Sequence, residues 1–380
     1  MKLCFIIVFV LLHTGTFSQD TLEKRKTWTF SGYVKELGWL RFDGPFSSST
    51  VTSLLHNRVN VKWNPSELWS GRIELRNRLY WGDDVRAIPG FRQQLLNANE
   101  AIDISVKWFA TNAAVLHSNI DRLWLEYKRP RWNIRAGRQR INWGITNTWN
   151  PNDIFNSYNF LDFDYEERPG SDAMKVQYRV NDLSSFEAAV AGTSHQPVMA
   201  VKYSTNYRQF DLQWNSGVYQ NTFTTGFGWA GSIKDMGFKG EAQFYADGKS
   251  GLSRLLLVME GDYIFRDGLY LSSALLYNQE GLQHSLDDSA KLTFQAQPRN
   301  LMPTKWNMLI NVAKQFTPLI NGSMNVVYAP GTNLLILFPT FQFNLKTNWD
   351  ADMVWQSFFA NAPKFKALSH AAFFRLRWSF

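Results

Sequence analysis

The sequence predicts an all-β chain, a transmembrane antiparallel up-and-down β-barrel of about 16–18 strands with a long inward-folded loop. Three observations lead there. Aromatic residues make up 16% of the 380, with 16 Trp, 14 Tyr and 29 Phe. Beyond the first dozen residues no apolar run approaches the roughly 18–20 residues that a spanning helix needs. Strand-length segments of alternating polar and apolar side chains recur from Thr27 to Phe380. A hydrophobic content of 45% excludes general disorder, and 13 Pro with 24 Gly exclude a collagen or low-complexity chain.

Residues 1–19 read as a secretory signal peptide and 20–380 as the barrel. Lys2 gives the basic start, Leu3 to Leu12 the apolar stretch, and Thr16-Phe17-Ser18 a small-x-small cleavage site. The segment resembles the export signals of Bacteroidota. Cys4, the one cysteine, lies inside it. The mature chain is therefore expected to hold no disulfide, thiol nucleophile or thiolate metal ligand.

Strand-like segments then follow at 27–40, 51–63, 69–81, 121–128, 132–138, 174–180, 186–191, 198–204 and 210–219. They continue at 226–233, 237–246, 255–265, 269–279, 306–316, 322–328, 334–345, 349–359 and 371–380. Tight turns such as Arg129-Pro130-Arg131, Lys234-Asp235-Met236 and Arg266-Asp267-Gly268 alternate with long connections at 82–101, 140–171 and 281–304. Short turns at one end and long loops at the other suit a membrane barrel. In hydrocarbon every backbone N–H and C=O needs an internal partner, which a closed sheet provides.

Alternation sorts the side chains by face. Arg72, Glu74, Arg76 and Arg78 oppose Ile73, Leu75 and Leu79, while Arg58 and Lys62 oppose Val59, Val61 and Trp63. Arg122 and Glu126 oppose Leu123 and Leu125, and Lys175 and Arg179 oppose Met174, Val176 and Tyr178. A charge facing lipid costs about 2–4 kcal/mol near the midplane, so the charged rows are expected to face a wet lumen. Residues 51–140 hold 15 Lys plus Arg against 8 Asp plus Glu. Arg375 and Arg377 on the last strand would close beside the first and extend that basic wall. Such a wall favours anionic or sugar-like solutes. Equally, Arg and Glu could pair and simply stiffen it.

The last residues, Phe374-Arg375-Leu376-Arg377-Trp378-Ser379-Phe380, alternate strictly and end on an aromatic. They resemble the terminal strand of Gram-negative outer-membrane β-barrels. That resemblance implies reading of the Phe380 strand by the barrel-assembly machinery, and contact with outer-membrane lipid and lipopolysaccharide. The long loop carries Gly137-Arg138-Gln139, Trp143-Gly144, Trp149-Asn150-Pro151-Asn152-Asp153 and Arg168-Pro169-Gly170. It is similar to a segment of alginate-export-type porins, over about 35 residues. The likeness implies a loop folded into the pore, with Arg138, Arg140 and Arg168 facing Asp153, Asp162, Asp164, Glu166 and Glu167. Arg135 completes the expected pore lining.

No catalytic motif stands out. The five mature-chain histidines have no metal spacing, and no cofactor is expected. His284-Ser285 beside Asp287-Asp288 is a weak hydrolase constellation, and the Asp162–Glu167 cluster could take Ca²⁺. Basic residues dispersed on strands do not call for nucleic acid. The expected function is a porin for passive diffusion of small hydrophilic, anionic solutes. The alternatives are a closed barrel serving as an accessory subunit of a surface complex, and an outer-membrane lipid hydrolase.

Overall fold

The computed structural model describes residues 26–44, 46–91, 95, 100–156, 161, 170–194, 196–246, 251, 253–285, 296–362 and 364–380. The expected signal peptide, including Cys4, lies outside these residues. The strands are β1 (Trp28–Asp43), β2 (Ser48–Trp63), β3 (Trp69–Gly82), β4 (Ser105–Ala110), β5 (Ala114–Lys128), β6 (Trp132–Gln139) and β7 (Ser171–Arg179). Next come β8 (Ser185–Gly192), β9 (Val198–Tyr207), β10 (Phe210–Tyr219), β11 (Thr222–Ile233), β12 (Met236–Ala246) and β13 (Ser253–Ile264). The last are β14 (Tyr270–Asn278), β15 (Trp306–Thr317), β16 (Ile320–Ala329), β17 (Leu334–Lys346), β18 (Trp349–Asn361) and β19 (Phe365–Ser379). A short helix, α1 (Asp83–Ala87), follows β3.

All pairings are antiparallel between neighbours, and β1 pairs with both β2 and β19, so the sheet closes on itself. The result is an 18-strand barrel with one extra strand, β4. The connections sort by parity as expected. At the end where β1 starts and β19 finishes they are short, such as 208–209, 234–235 and 347–348. At the opposite end lie 83–113, 140–170 and 279–305.

Aromatic side chains ring the terminal end on the outward face. Trp28 meets Trp63, Trp69 meets Tyr127, Trp132 meets Tyr178, and Trp349 meets Trp378. Between them runs a chain of contacts from Phe186 through Tyr203, Trp214 and Phe227 to Trp229. Such a girdle fits amphipathic rings at a membrane–water boundary. Among the described residues no helix is long and apolar enough to cross a membrane.

Two features escaped the sequence. The sequence reading assigns no strand between 101 and 121, yet residues there form β4 and the first half of β5. The alternation of β5 breaks at Asp121, a bulge between the pairs Glu74↔Arg122 and Leu75↔Ile120. β6 leaves the wall at Gln139, opposite the middle of β5, and β4 takes its place along the rest of β5, pairing Ser105 with Asn119. Gly137, at φ 111°, makes the departure possible: a Cβ there would strike the Leu123 carbonyl.

Candidate functional site

The inward rows of β1, β2, β3 and β5 stack in layers. Nearest the loop end is an apolar row, Leu37, Leu54, Tyr80 and Val115, roofed by Val85 of α1 and by Phe91. Asp84 fixes that roof: it accepts from Trp39 Nε1 at 2.7 Å, and its own N–H donates to Thr52 Oγ1 at 3.0 Å. In the next row Lys35, His56, Arg78 and His117 stand side by side in register, with Arg377 beside Lys35 on β19, and Lys35, Arg78 and Arg377 carry its positive charge. Among the described residues Arg78 hydrogen-bonds neutral acceptors: Tyr80 Oη at 3.3 Å, the Leu95 carbonyl at 3.3 Å and His117 Nδ1 at 3.4 Å.

Below it lies an ion network. Arg58 is fully buried, donating to Asp121 at 2.6 Å, to Glu74, and to Asn60 at 3.1 Å. Arg76 joins the other oxygen of Asp121 at 3.0 Å. Asp121 can serve both because the bulge turns it inward, out of step with its strand. Arg122 is buried against the Asp121 carbonyl, and Arg72 pairs with Glu74. Arg135 holds Glu126 at 2.5 Å and lies 4.3 Å above the Trp124 ring.

Nearest the terminal end, these rows enclose a cavity of about 560 Å³. Its lining holds seven cations, Arg58, Lys62, Arg72, Arg122, Lys128, Arg135 and Arg140, against three carboxylates, Glu67, Glu74 and Glu126. Lys62 is exposed there. Across the barrel, β14–β17 line a cavity of about 430 Å³ that is almost uncharged, with Asn311, Gln315, Asn321, Ser323, Thr340 and Gln342.

The inward loop is built differently. Ile141, Trp143, Trp149, Ile154 and Phe155 are all buried, packed on small and aliphatic wall residues such as Ala189, Ala200, Val258 and Leu276. Three wall carboxylates fasten it. Glu241 on β12 accepts from the backbone N–H groups of Ile145, Thr146 (2.8 Å) and Asn152 (2.8 Å), and from the Thr146 hydroxyl. Glu260 on β13 accepts from Asn147 (2.9 Å) and Thr148 (3.3 Å), and Glu187 on β8 from the Trp143 indole. Gln356 on β18 donates to the Leu161 carbonyl at 3.0 Å, so the loop spans the lumen from β8 to β18. The sequence reading passed over these anchors: an isolated Glu on an inward row looks like any other polar lumen residue.

Other expected lining residues are placed as follows. Lys175 pairs with Glu187 at 3.3 Å, Arg375 with Asp352 at 2.7 Å, and Arg377 with Asp350 at 2.9 Å. Arg179 is exposed at the terminal end. Asp162, Asp164, Glu166, Glu167 and Arg168 lie outside the described residues, as do Asp287 and Asp288.

Two expectations are corrected. Arg138 does not line the pore. β6 runs on through Gln139, so Arg138 sits three positions from the inward Arg135, on the outward row opposite Leu123. There it is caged by Asp172 at 2.8 Å, Glu100 at 2.9 Å and the carbonyls of Ile120 and Ile102. Asp172 also accepts from the Ala101 and Ile102 N–H groups, so this pair staples the segment leading into β4. Asp153 does not face a constriction either: it is fully buried and accepts from the Trp143 N–H at 3.4 Å.

The sequence matches no protein-family model and no curated protein. Solved structures do match. OccAB4 of Acinetobacter baumannii and OpdQ of Pseudomonas aeruginosa each superpose with a TM-score of 0.61 at 7% identity, covering 93% of this chain and 99% of theirs. The outer membrane protein OpdK of Pseudomonas aeruginosa gives 0.59 at 6% identity, covering 93% and 98%. At such identity the likeness is one of fold: this chain has the barrel of outer-membrane porins.

Proposed function

We propose that the chain is an outer-membrane channel for passive diffusion of small hydrophilic, anionic solutes. One observation carries the charge preference: Lys35 and Arg78, in register with His56 and His117, stand above a cavity lined by seven cations and three carboxylates. In a tube with low-dielectric walls, such an imbalance raises the local anion concentration. The ion pairs have a separate task. Guanidinium groups locked to Glu74, Asp121 and Glu126 keep fixed positions, while Lys62 and Arg78 are left to meet a passing carboxylate or phosphate. The inward loop sets the width. The porin fold of the structural neighbours and the girdle of aromatics support the membrane setting.

Reversal potential of the purified protein in planar bilayers under a salt gradient tests this. Anion selectivity is expected, and cation selectivity would defeat the proposal. The packing of the inward loop and the α1 roof in the loop-side half of the barrel favours a second reading, a closed barrel acting as an accessory subunit. A folded protein that carries no current would assign that role.

A further inference from the structure

On the membrane reading above, the outward wall should be uniformly apolar. From β8 to β14 it is: among the described residues aliphatic, aromatic and small side chains fill the outward rows, with hydroxyls such as Thr205, Ser216 and Ser273 between them and neither charge nor amide. The sector β1–β5 departs from this. Asn57 donates to the Tyr33 carbonyl at 3.3 Å, Asn77 to Asn57 at 3.1 Å, Ser118 to Asn77 at 2.6 Å and Trp108 to Ser118 at 2.8 Å. These four side chains form a polar ladder across β2, β3, β5 and β4, with Asn57, Asn77 and Ser118 on outward positions and Trp108 at the bulge of β4.

Beside the ladder stands Glu36. Its partners in register, Leu55 and Leu376, face outward, and it is exposed. A bare carboxylate facing hydrocarbon is costly. Next to it on the same row is Gly38, paired with Ser53, where a Cβ would meet only the Ser53 hydroxyl at 3.8 Å. The result is a shallow notch in the wall, flanked by one acceptor and two donors.

We propose that this outward face of β1–β3 is where two copies of the chain pair about a twofold axis in the membrane. The face complements itself. Glu36 only accepts, while Ser53 and the second hydrogen of the Asn57 amide donate, so a twofold axis sets the carboxylate of each copy on the donors of the other. Gly38 lets the two walls approach closely, as small residues do at membrane interfaces. A head-to-tail ring fits less well: the outward cations Arg138 and Lys314 are already paired with Asp172 and Asp267, and Lys346 lies at the terminal end over the Trp349 ring.

The test uses the full chain in lipid vesicles, with Cys4→Ser as background and folding checked by heat-shifted gel mobility. Ser53→Cys is expected to oxidise to a disulfide dimer. Ser273→Cys, on the outward row of β14, should stay monomeric. Adding Glu36→Leu with Asn57→Leu should cut the Ser53→Cys dimer on the order of tenfold, the effect of losing one charge-assisted hydrogen bond per copy. Such variants are more apolar outside, so the barrel itself should still fold. Failure of Ser53→Cys to cross-link, equal cross-linking at Ser273→Cys, or capture of a different polypeptide would each overturn the pairing. None of these readouts involves ion flow, so the dimer stands or falls apart from the solute.

Discussion

The two sides of the lumen solve one problem in opposite ways. A barrel of this size is too wide for wall side chains alone to fill. On β1–β6, β18 and β19 the filling is ionic: Arg58, Arg76 and Asp121 interlock, and Arg375 closes on Asp352. On β7–β14 it is apolar: the wall offers Ala, Val and Leu, and the loop supplies Ile141, Trp143, Trp149 and Phe155. Carboxylates occur on both sides but do different work. Glu74 and Asp121 neutralise guanidinium groups, whereas Glu241 and Glu260 hold backbone N–H groups that loop residues 145–152 cannot satisfy themselves. The ionic side leaves surplus positive charge at the water; the apolar side leaves none. Selectivity and width are therefore assigned to different walls.

Breaking the apolar side should cost most. Trp143→Ala removes a fully buried ring, a change that costs about 3–5 kcal/mol, and leaves Glu187 without its indole donor. Urea unfolding followed by gel mobility should show the loss, with a rise in single-channel conductance as the loop loosens. Unchanged conductance would remove the loop from control of width.

Second in size is Arg58→Met, which takes one of two guanidinium partners from each of Glu74 and Asp121, leaving them Arg72 and Arg76, and should cost about 2–3 kcal/mol. Urea unfolding followed by gel mobility measures the loss, and an unchanged midpoint would mean that Arg72 and Arg76 alone neutralise both carboxylates.

These two sites differ in how readily the sequence shows them. Alternation is a strong signal where a strand is regular, and the inward rows through Arg58, Arg72 and Lys175 were legible for that reason. It fails at irregularities. Asp121 bulges, so counting from Leu123 loses the first half of β5 and with it the placement of His117. Arg138 looked like the start of a loop, whereas the strand continues and parity turns it outward. Glu241 was invisible for another reason: its partners lie 89–96 residues away in sequence, in a loop with no periodicity.

A smaller effect is expected from Glu241→Gln. The amide keeps an oxygen for Thr146 but turns an N–H₂ toward the Asn152 N–H. One buried donor left unpaired costs about 1–3 kcal/mol. Thermal unfolding should fall accordingly while selectivity stays at the wild-type value, because the cationic row is untouched. A change in selectivity would mean that the two walls are not independent.

The smallest change in stability, and the sharpest division between the walls, comes from Lys62→Ser. Lys62 is exposed in the cationic cavity, so its loss should alter stability by no more than about 0.5 kcal/mol. It nonetheless takes one of seven cations from a lining with three carboxylates, and the reversal potential should move toward zero. The shift should be larger in dilute salt, since the Debye length is about 30 Å at 0.01 M and about 10 Å at 0.1 M. Lys314→Ser is the matched control: this lysine borders the uncharged cavity across the barrel and is already paired with Asp267 at 2.9 Å. Its removal should leave the reversal potential where it was. Equal shifts from both lysines would mean that ions respond to the total charge of the barrel, and the assignment of selectivity to the β1–β6 wall would fall.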